Sequence, residues 1–239
     1  MATYVLAHAH PDDETLASGA IVVGMRRRGD AAFVLTATRG EKGEVMPGPY
    51  VGLAGTPRLT EVREAELATA LDALGVSGHA FLGLPPARAA GSAPRRYTDS
   101  GMVWVTPTVA GPGPDAGPDS LTAADLAEVA ADIEAYARSV GATDLVSYAD
   151  DGGYGHPDHV RMHEATRRAA VRLGLPFHEI VTDSTLPADE WFDASGQREA
   201  LDRAHRAYGT QFRVDGDVVT HVGGQSHPAV TTAGLHRVV

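Results

Sequence analysis

Two short segments concentrate the side chains that could do chemistry: His10-Pro11-Asp12-Asp13-Glu14 and Gly155-His156-Pro157-Asp158-His159. The first places three consecutive carboxylates at a helix start, where two would suffice for capping and for the dipole, each worth about 1 kcal/mol. The second also reads as a helix start, because Pro is favoured at the first helical position and Asp in the first turn. Singly, each is a capping sequence. Jointly, in a chain with 11 His and no Cys, they match a two-His, one-carboxylate metal site with open coordination positions, the arrangement of a catalytic zinc. A Cys-free chain excludes disulfides, thiolate nucleophiles, iron–sulfur clusters and Cys-ligated zinc. Two His and a carboxylate also suit iron, so Zn2+ is the expected cofactor and Fe2+ the alternative.

For the two segments to meet, the strands ahead of them must be neighbours. Strand-length apolar runs at 3–9, 31–38, 79–82, 144–148 and 177–182 alternate with amphipathic helical stretches at about 15–28, 60–74, 123–140, 157–173 and 197–208. That alternation predicts an α/β fold, a Rossmann-like, mostly parallel sheet with helices on both faces. Thr60 reads as an N-cap, and Gly29, Gly75 and Gly141 stand where helices end most cheaply. A 3-2-1-4-5 strand order would bring the ends of the first and fourth strands together at a topological switch point, where ligands bind. Residues 84–120 carry PPARAAGSAP and AGPGPDAGPD, too much Pro and Gly for a regular element. They read as a long loop, with 97–106 a candidate lid and a flexible arm at its end. The small C-terminal segment, about 210–239, reads as an antiparallel pairing of 218–221 with 235–239. No repeat or linker divides residues 1–239, which read as a single domain.

AHPDDE followed far along the chain by GHPDH resembles the signature of the LmbE-like, or PIG-L, family of zinc-dependent N-deacetylases, which act on N-acetylglucosamine-type amides. The resemblance covers most of residues 1–173. GEKGEV at 40–45, RYTDSGM at 96–102 and GGYGHPDH at 152–159 look most like the mycothiol-pathway members, a deacetylase and an S-conjugate amidase. It implies His10, Asp13 and His159 as metal ligands and Asp12 as general base. It further implies His156 as partner of the oxyanion and acid for the leaving amine, Asp158 as the carboxylate that orients it, and Tyr154 as an aid to the oxyanion. Glu44, Arg63, Asp99 and Met102 match positions around the sugar and its polar partner. The chain is shorter than those enzymes after His178, Tyr208-Gly209-Thr210-Gln211 only loosely resembles the family's His-x-Ser/Thr-Gln element, and the insertion at 110–118 has no counterpart.

These roles agree with elementary chemistry. An amide is a poor electrophile, and a divalent ion both polarises its carbonyl and lowers the pKa of water toward about 7. Asp12 adjoins Asp13 and can reach the attacking water without ligating, and a positioned base of this kind contributes about 10²–10⁴-fold. An Asp158 partner would favour the imidazolium form of His156. His163, four residues after His159, is the rival ligand, while His8 within the first strand reads as a packed histidine and Asp150 and Asp151 as turn residues. Arg63, in the first turn of its helix, opposes the dipole and so invites an acidic partner or a ligand.

Composition narrows the partners. Lys+Arg 20 against Asp+Glu 31 gives a formal charge of −11, which leaves nothing to neutralise a phosphate backbone or an anionic bilayer. No nucleic acid and no membrane is therefore expected. The first ten residues lack the basic and apolar regions of a signal peptide, and the chain reads as cytoplasmic. The expected partner is a small-molecule N-acyl amino sugar or related amide, and a homo-oligomer is compatible with the sequence. The function read from these features is hydrolysis of an N-acetyl amide on an amino sugar or glucosaminyl-inositol. The alternatives are an amidase on a larger thiol conjugate and a non-haem iron enzyme, the latter expected on an antiparallel β scaffold.

Overall fold

The computed structural model describes residues 1–106 and 109–239, with the backbone alone at 109; residues 107 and 108 of the long loop lie outside the described part. The first half runs β1 (Thr3–His8), α1 (Asp13–Leu16), α2 (Gly19–Arg27), β2 (Ala31–Thr36), α3 (Pro57–Leu74), β3 (Gly78–Phe81), β4 (Met102–Thr106) and β5 (Val109–Pro112). It continues with α4 (Leu126–Val140), β6 (Asp144–Ser147), the single turn α5 (Gly152–Gly155), α6 (Pro157–Leu173), β7 (Phe177–Val181), β8 (Glu190–Asp193) and α7 (Arg198–Ala207). Four strands close the chain: β9 (Phe212–Asp215), β10 (Val218–His221), β11 (Ser226–Pro228) and β12 (Thr232–Arg237).

The main sheet has the order β3-β2-β1-β6-β7-β12-β8. Its first five strands are parallel; β12 joins β7 antiparallel, and β8, antiparallel to β12, runs in the direction of the first five. The 3-2-1-4-5 expectation holds, and the fold is a mixed, mostly parallel sheet in one α/β domain, not the antiparallel scaffold of the iron alternative. Alternate side chains of β1 serve two cores. Val5 and Ala7 pack with Val129 and Ile133 of α4 and Met162 and Ala165 of α6; Tyr4 and Leu6 pack with Ile21 and Met25 of α2 and Leu201 and Ala204 of α7. Both sides of a central strand are thus apolar, as covered parallel sheets require. Among the described residues no helix is long and apolar enough to cross a membrane.

Four local expectations need correction. The predicted 15–28 helix breaks at residues 17–18, where Ser18 Oγ bonds back to the Glu14 carbonyl (3.0 Å) and to His8 Nε2 (3.0 Å), diverting the chain from regular helix. The 60–74 helix begins one turn earlier, with Pro57 at its first turn and Thr56 ahead of it, so Thr60 lies inside it and not at the cap. The 84–120 stretch holds a hairpin, β4–β5, and Tyr97 in the supposed lid is fully buried. Its hydroxyl donates to Asp132 of α4 (2.8 Å), which also accepts from Arg88 Nη1 (2.8 Å) and Ala89 N (2.7 Å), so the excursion is anchored to the helix. Finally, 218–221 and 235–239 do not pair: β10 is the middle of a β9-β10-β11 meander, turned at Gly216 with φ 59°, whereas β12 fills the gap between β7 and β8.

Candidate active site

β1 and β6 pair directly, with Tyr4 opposite Asp144 and Leu6 opposite Val146, so the segments that follow them leave the sheet side by side at the switch point. His10, Asp13 and His159 meet there. Asp13 Oδ1 lies 3.3 Å from His159 Nε2, and Asp13 Oδ2 lies 3.4 Å from His10 Nδ1. His156 joins them: its ring centroid is 4.7 Å from those of His10 and His159, and one nitrogen of each of the three histidines falls within a 4.8 Å cluster. A second cluster of that size is His10, Asp99 and Asp158.

The donors fit a metal ion. His159 Nδ1 faces the Gly152 carbonyl at 3.1 Å, so it carries the proton and leaves the Nε2 lone pair facing the cluster. That Nε2 is buried and makes no hydrogen bond among the described residues, an orphaned acceptor that a cation would satisfy. All the converging donors are imidazole nitrogen or carboxylate oxygen, the set that zinc accepts in a Cys-free protein.

Asp12 occupies the N-cap of α1, yet its carboxylate makes no capping hydrogen bond. Its φ of 107° is the only positive value among described non-glycine residues, a strained conformation of the kind retained at functional sites. Burial, then the neighbouring Asp13 carboxylate, pushes its carboxyl well above the ordinary range. Asp13 goes the other way: burial opposes its charge, but His159 and His10 beside it hold it well below that range. Glu14 is buried beneath both, accepting from Thr15 Oγ1 (2.5 Å) and Tyr208 OH (2.6 Å), and burial raises it to about 7.

The expected pairing of Asp158 with His156 is not made. The Asp158 carboxylate accepts from Ser100 N (2.9 Å) and Ser100 Oγ (2.5 Å) and lies 3.2 Å from His10 Nε2. His156 caps α6 instead, its Nδ1 accepting from Asp158 N at 3.2 Å. An accepting Nδ1 means a neutral ring with the proton on Nε2. Burial first, then the neighbouring His10 and His159, lowers this imidazole to about 2, and the carboxylate expected to favour its charged form is turned to Ser100 and His10 instead. Burial opposes charge on His10 too, but Asp99, Asp13 and Asp158 outweigh it and raise that ring well above its ordinary value.

The surrounding residues divide. Asp99 is buried 3.7 Å from His10 and accepts from Gly101 N and Lys42 N. Met102 is half-buried at the start of β4. Tyr154, 52% exposed, sits at the rim with its ring 5.3 Å from that of His159. Arg63 lies in the second turn of α3, not the first, and is fully buried. Its guanidinium donates to the carbonyls of Gly40, Gly43 (3.3 Å) and Glu44 (2.9 Å), so it shapes the 40–44 loop. A Cβ at Gly43 would stand 2.5 Å from Arg63 Nη1, so a larger residue there displaces the guanidinium from these carbonyls. Glu44 itself is exposed and contributes its carbonyl to that arrangement.

Asp13 and His163 both fall outside the two clusters, but Asp13 stands within 3.4 Å of His10 and His159, whereas His163 donates to the Tyr148 carbonyl at 2.9 Å. His221 pairs with His227 (2.9 Å) in the C-terminal meander, and His236 lies 3.1 Å from Asp189. Sequence reasoning missed Ser100, Tyr148 and the reach of the C-terminal segment. Tyr208 holds Glu14, and Gln211 Nε2 donates to the Pro11 carbonyl at 2.7 Å. The one available signal was the Tyr208–Gln211 stretch itself, a polar run directly after a helix.

Fold and site together define an α/β protein with a buried His-and-carboxylate cluster at the carboxyl end of its sheet, able to hold a metal ion. The profile of the PIG-L family, described as GlcNAc-PI de-N-acetylase, matches residues 5–170, and the chain belongs to that family. It is 49% identical over 167 residues to a 1D-myo-inositol 2-acetamido-2-deoxy-alpha-D-glucopyranoside deacetylase of Kineococcus radiotolerans, covering 70% of this chain and 44% of the relative. A Saccharopolyspora erythraea deacetylase of the same description is 42% identical over 171 residues, covering 71% and 54%. The chain thus spans about half the length of these relatives. Among solved structures, the deacetylase of teicoplanin biosynthesis in complex with teicoplanin superposes with a TM-score of 0.59 at 23% identity, over 99% of both chains. The N,N'-diacetylchitobiose deacetylase of Pyrococcus horikoshii gives 0.55 at 18% identity, over 87% of this chain and 70% of that one. These two show a shared fold.

Proposed function

We propose that the chain is a zinc-dependent N-deacetylase that hydrolyses the acetamide of an N-acetylated amino sugar of the glucosaminyl-inositol type, acting in the cytoplasm. One observation carries the reading: two segments 145 residues apart in sequence deliver His10, Asp13 and His159 to one point, with the His159 Nε2 lone pair left unspent. The descriptions of the two relatives favour the inositol-linked sugar. His10, Asp13 and His159 would hold the ion, with His156 beside them. When bound, zinc supplies a Lewis acid for the amide carbonyl and acidifies water.

The chain's own residues do the rest. Asp12, uncommitted to capping, takes a proton from the attacking water onto its carboxylate. His156, neutral with its proton on Nε2, donates a hydrogen bond to the oxygen that becomes negative, and Tyr154 at the rim adds a second donor. With His156 held through Nδ1 by the Asp158 N–H and its Nε2 proton given to the oxyanion, Asp12 passes the proton it collected to the leaving amine nitrogen. Asp158 acts on His10 and Ser100. Asp99 and Met102 line the mouth for the sugar, Glu44 meets its polar partner, and Arg63 supports both through the 40–44 loop.

The test is acetate release from a panel of N-acetylglucosamine derivatives by metal-free protein reconstituted with Zn2+. Release that ranks the inositol-linked sugar first is expected. No acetate from any sugar, with cleavage only of a larger thiol-conjugated amide, would move the substrate class.

A further inference from the structure

Tyr148 follows β6 and is buried within the cluster, at 5% exposure. Its hydroxyl has a fixed hydrogen-bond economy. It accepts from Ala9 N at 2.8 Å and donates to Asp13 Oδ2 at 2.7 Å. Asp13 Oδ2 also accepts from His10 N at 2.8 Å. Two donors therefore hold Oδ2, which stands 3.4 Å from His10 Nδ1, and Oδ1 is the oxygen turned toward His159 Nε2 at 3.3 Å. The Tyr148 ring lies flat on His159, with centroids 4.0 Å apart and planes 4° from parallel. One side chain thus fixes a carboxylate from the first motif and an imidazole from the second.

We propose that Tyr148 is a positioning residue for the metal centre: its hydroxyl selects which Asp13 oxygen is offered, and its ring fixes the plane of His159. The inference rests on the metal reading given above. Partners of this kind orient ligands in advance, and their loss typically costs about 10–100-fold in metal affinity. Tyr148 would act entirely through Asp13 and His159. It touches neither substrate nor reacting atoms, so it is not a catalytic residue.

Competition titration of metal-free protein with Zn2+ and a chromophoric chelator tests it. Tyr148→Phe keeps the ring and removes the hydroxyl, and the expected result is a Zn2+ affinity about 10–100-fold below the parent's with cooperative metal-free unfolding retained. Tyr148→Leu, which removes the stacked ring as well, is expected to bind more weakly still. The visible spectrum of the Co2+-loaded protein reports what a merely structural tyrosine would leave unmoved. Freed Oδ2 can join the ion in Tyr148→Phe, and a higher coordination number weakens the absorption. The parent chain gives a readout that needs no variant: a slowly exchanging Tyr148 hydroxyl proton in its NMR spectrum. Affinity of Tyr148→Phe within about twofold of the parent's, an unchanged Co2+ spectrum, or a freely exchanging hydroxyl would overturn the inference. A parent chain that binds no Zn2+ would overturn the metal reading and this inference with it.

Discussion

Asp12 and Asp13 are adjacent in sequence, yet their carboxylates face different surroundings. Asp13 is caught between two imidazoles and a tyrosine hydroxyl, whereas Asp12 sits on a strained backbone with no cap to make. Asp12→Asn should therefore bind Zn2+ as the parent does while losing about 10²–10⁴-fold in kcat. Parallel metal analysis and acetate assays check this, and an active Asp12→Asn protein would remove the base assignment. The identities of these residues were legible because side-chain type and spacing are properties of the sequence. The partner of Asp158 was not. Its carboxylate turns back across the first turn of α6 to Ser100, 58 residues away, and a contact at that separation depends on the path of the 84–120 excursion.

Helices were the most legible elements, because period and caps are local: α6 has the predicted 157–173 bounds, and Gly75 and Gly141 take the left-handed cap conformation. Where a long-range contact competes, local reading fails, as at Ser18 and along the 84–120 stretch. Asp132 shows how strongly that stretch is held. It is fully buried and accepts from Arg88, Ala89 and Tyr97, so Asp132→Ala should cost about 1–3 kcal/mol of stability by leaving the Tyr97 hydroxyl and the Ala89 N–H without their acceptor, while Arg88 keeps its ion pair with Glu128 at 2.8 Å. Chemical denaturation measures this directly. On edge strand β3, His79 is held at about 4 by burial and then by Arg39, against an ordinary 6.5. The unfolded chain binds this proton below pH 6.5 while the folded chain refuses it until about pH 4. Its stabilisation is thus complete above pH 6.5 and lost as pH falls toward 4, and His79→Gln should flatten that decline by on the order of 2 kcal/mol. Denaturation midpoints at neutral and acidic pH, compared for the two proteins, check the sign.

At the scale of the whole molecule, the strand order was legible through the alternation of strands and helices, but the C-terminal third was not. Its strands are short, and pairing among short strands is decided by which edges the rest of the fold leaves open. The matched family region ends at residue 170, yet β7, β12 and β8 complete the sheet, and Tyr208 and Gln211 brace the Pro11–Glu14 segment. A fragment of residues 1–174 should therefore lack cooperative unfolding by circular dichroism, and a fragment that melts sharply would show the last third to be dispensable.

On the proposed reading the two His-Pro-Asp segments form one metal-dependent hydrolytic centre. Stepwise addition of Zn2+ to metal-free protein, with acetate release from the inositol-linked N-acetylglucosaminide followed alongside, tests it most directly. Activity should rise from background and level off at about one ion per chain, as a single site requires. Equal activity in metal-free and reconstituted protein would contradict it.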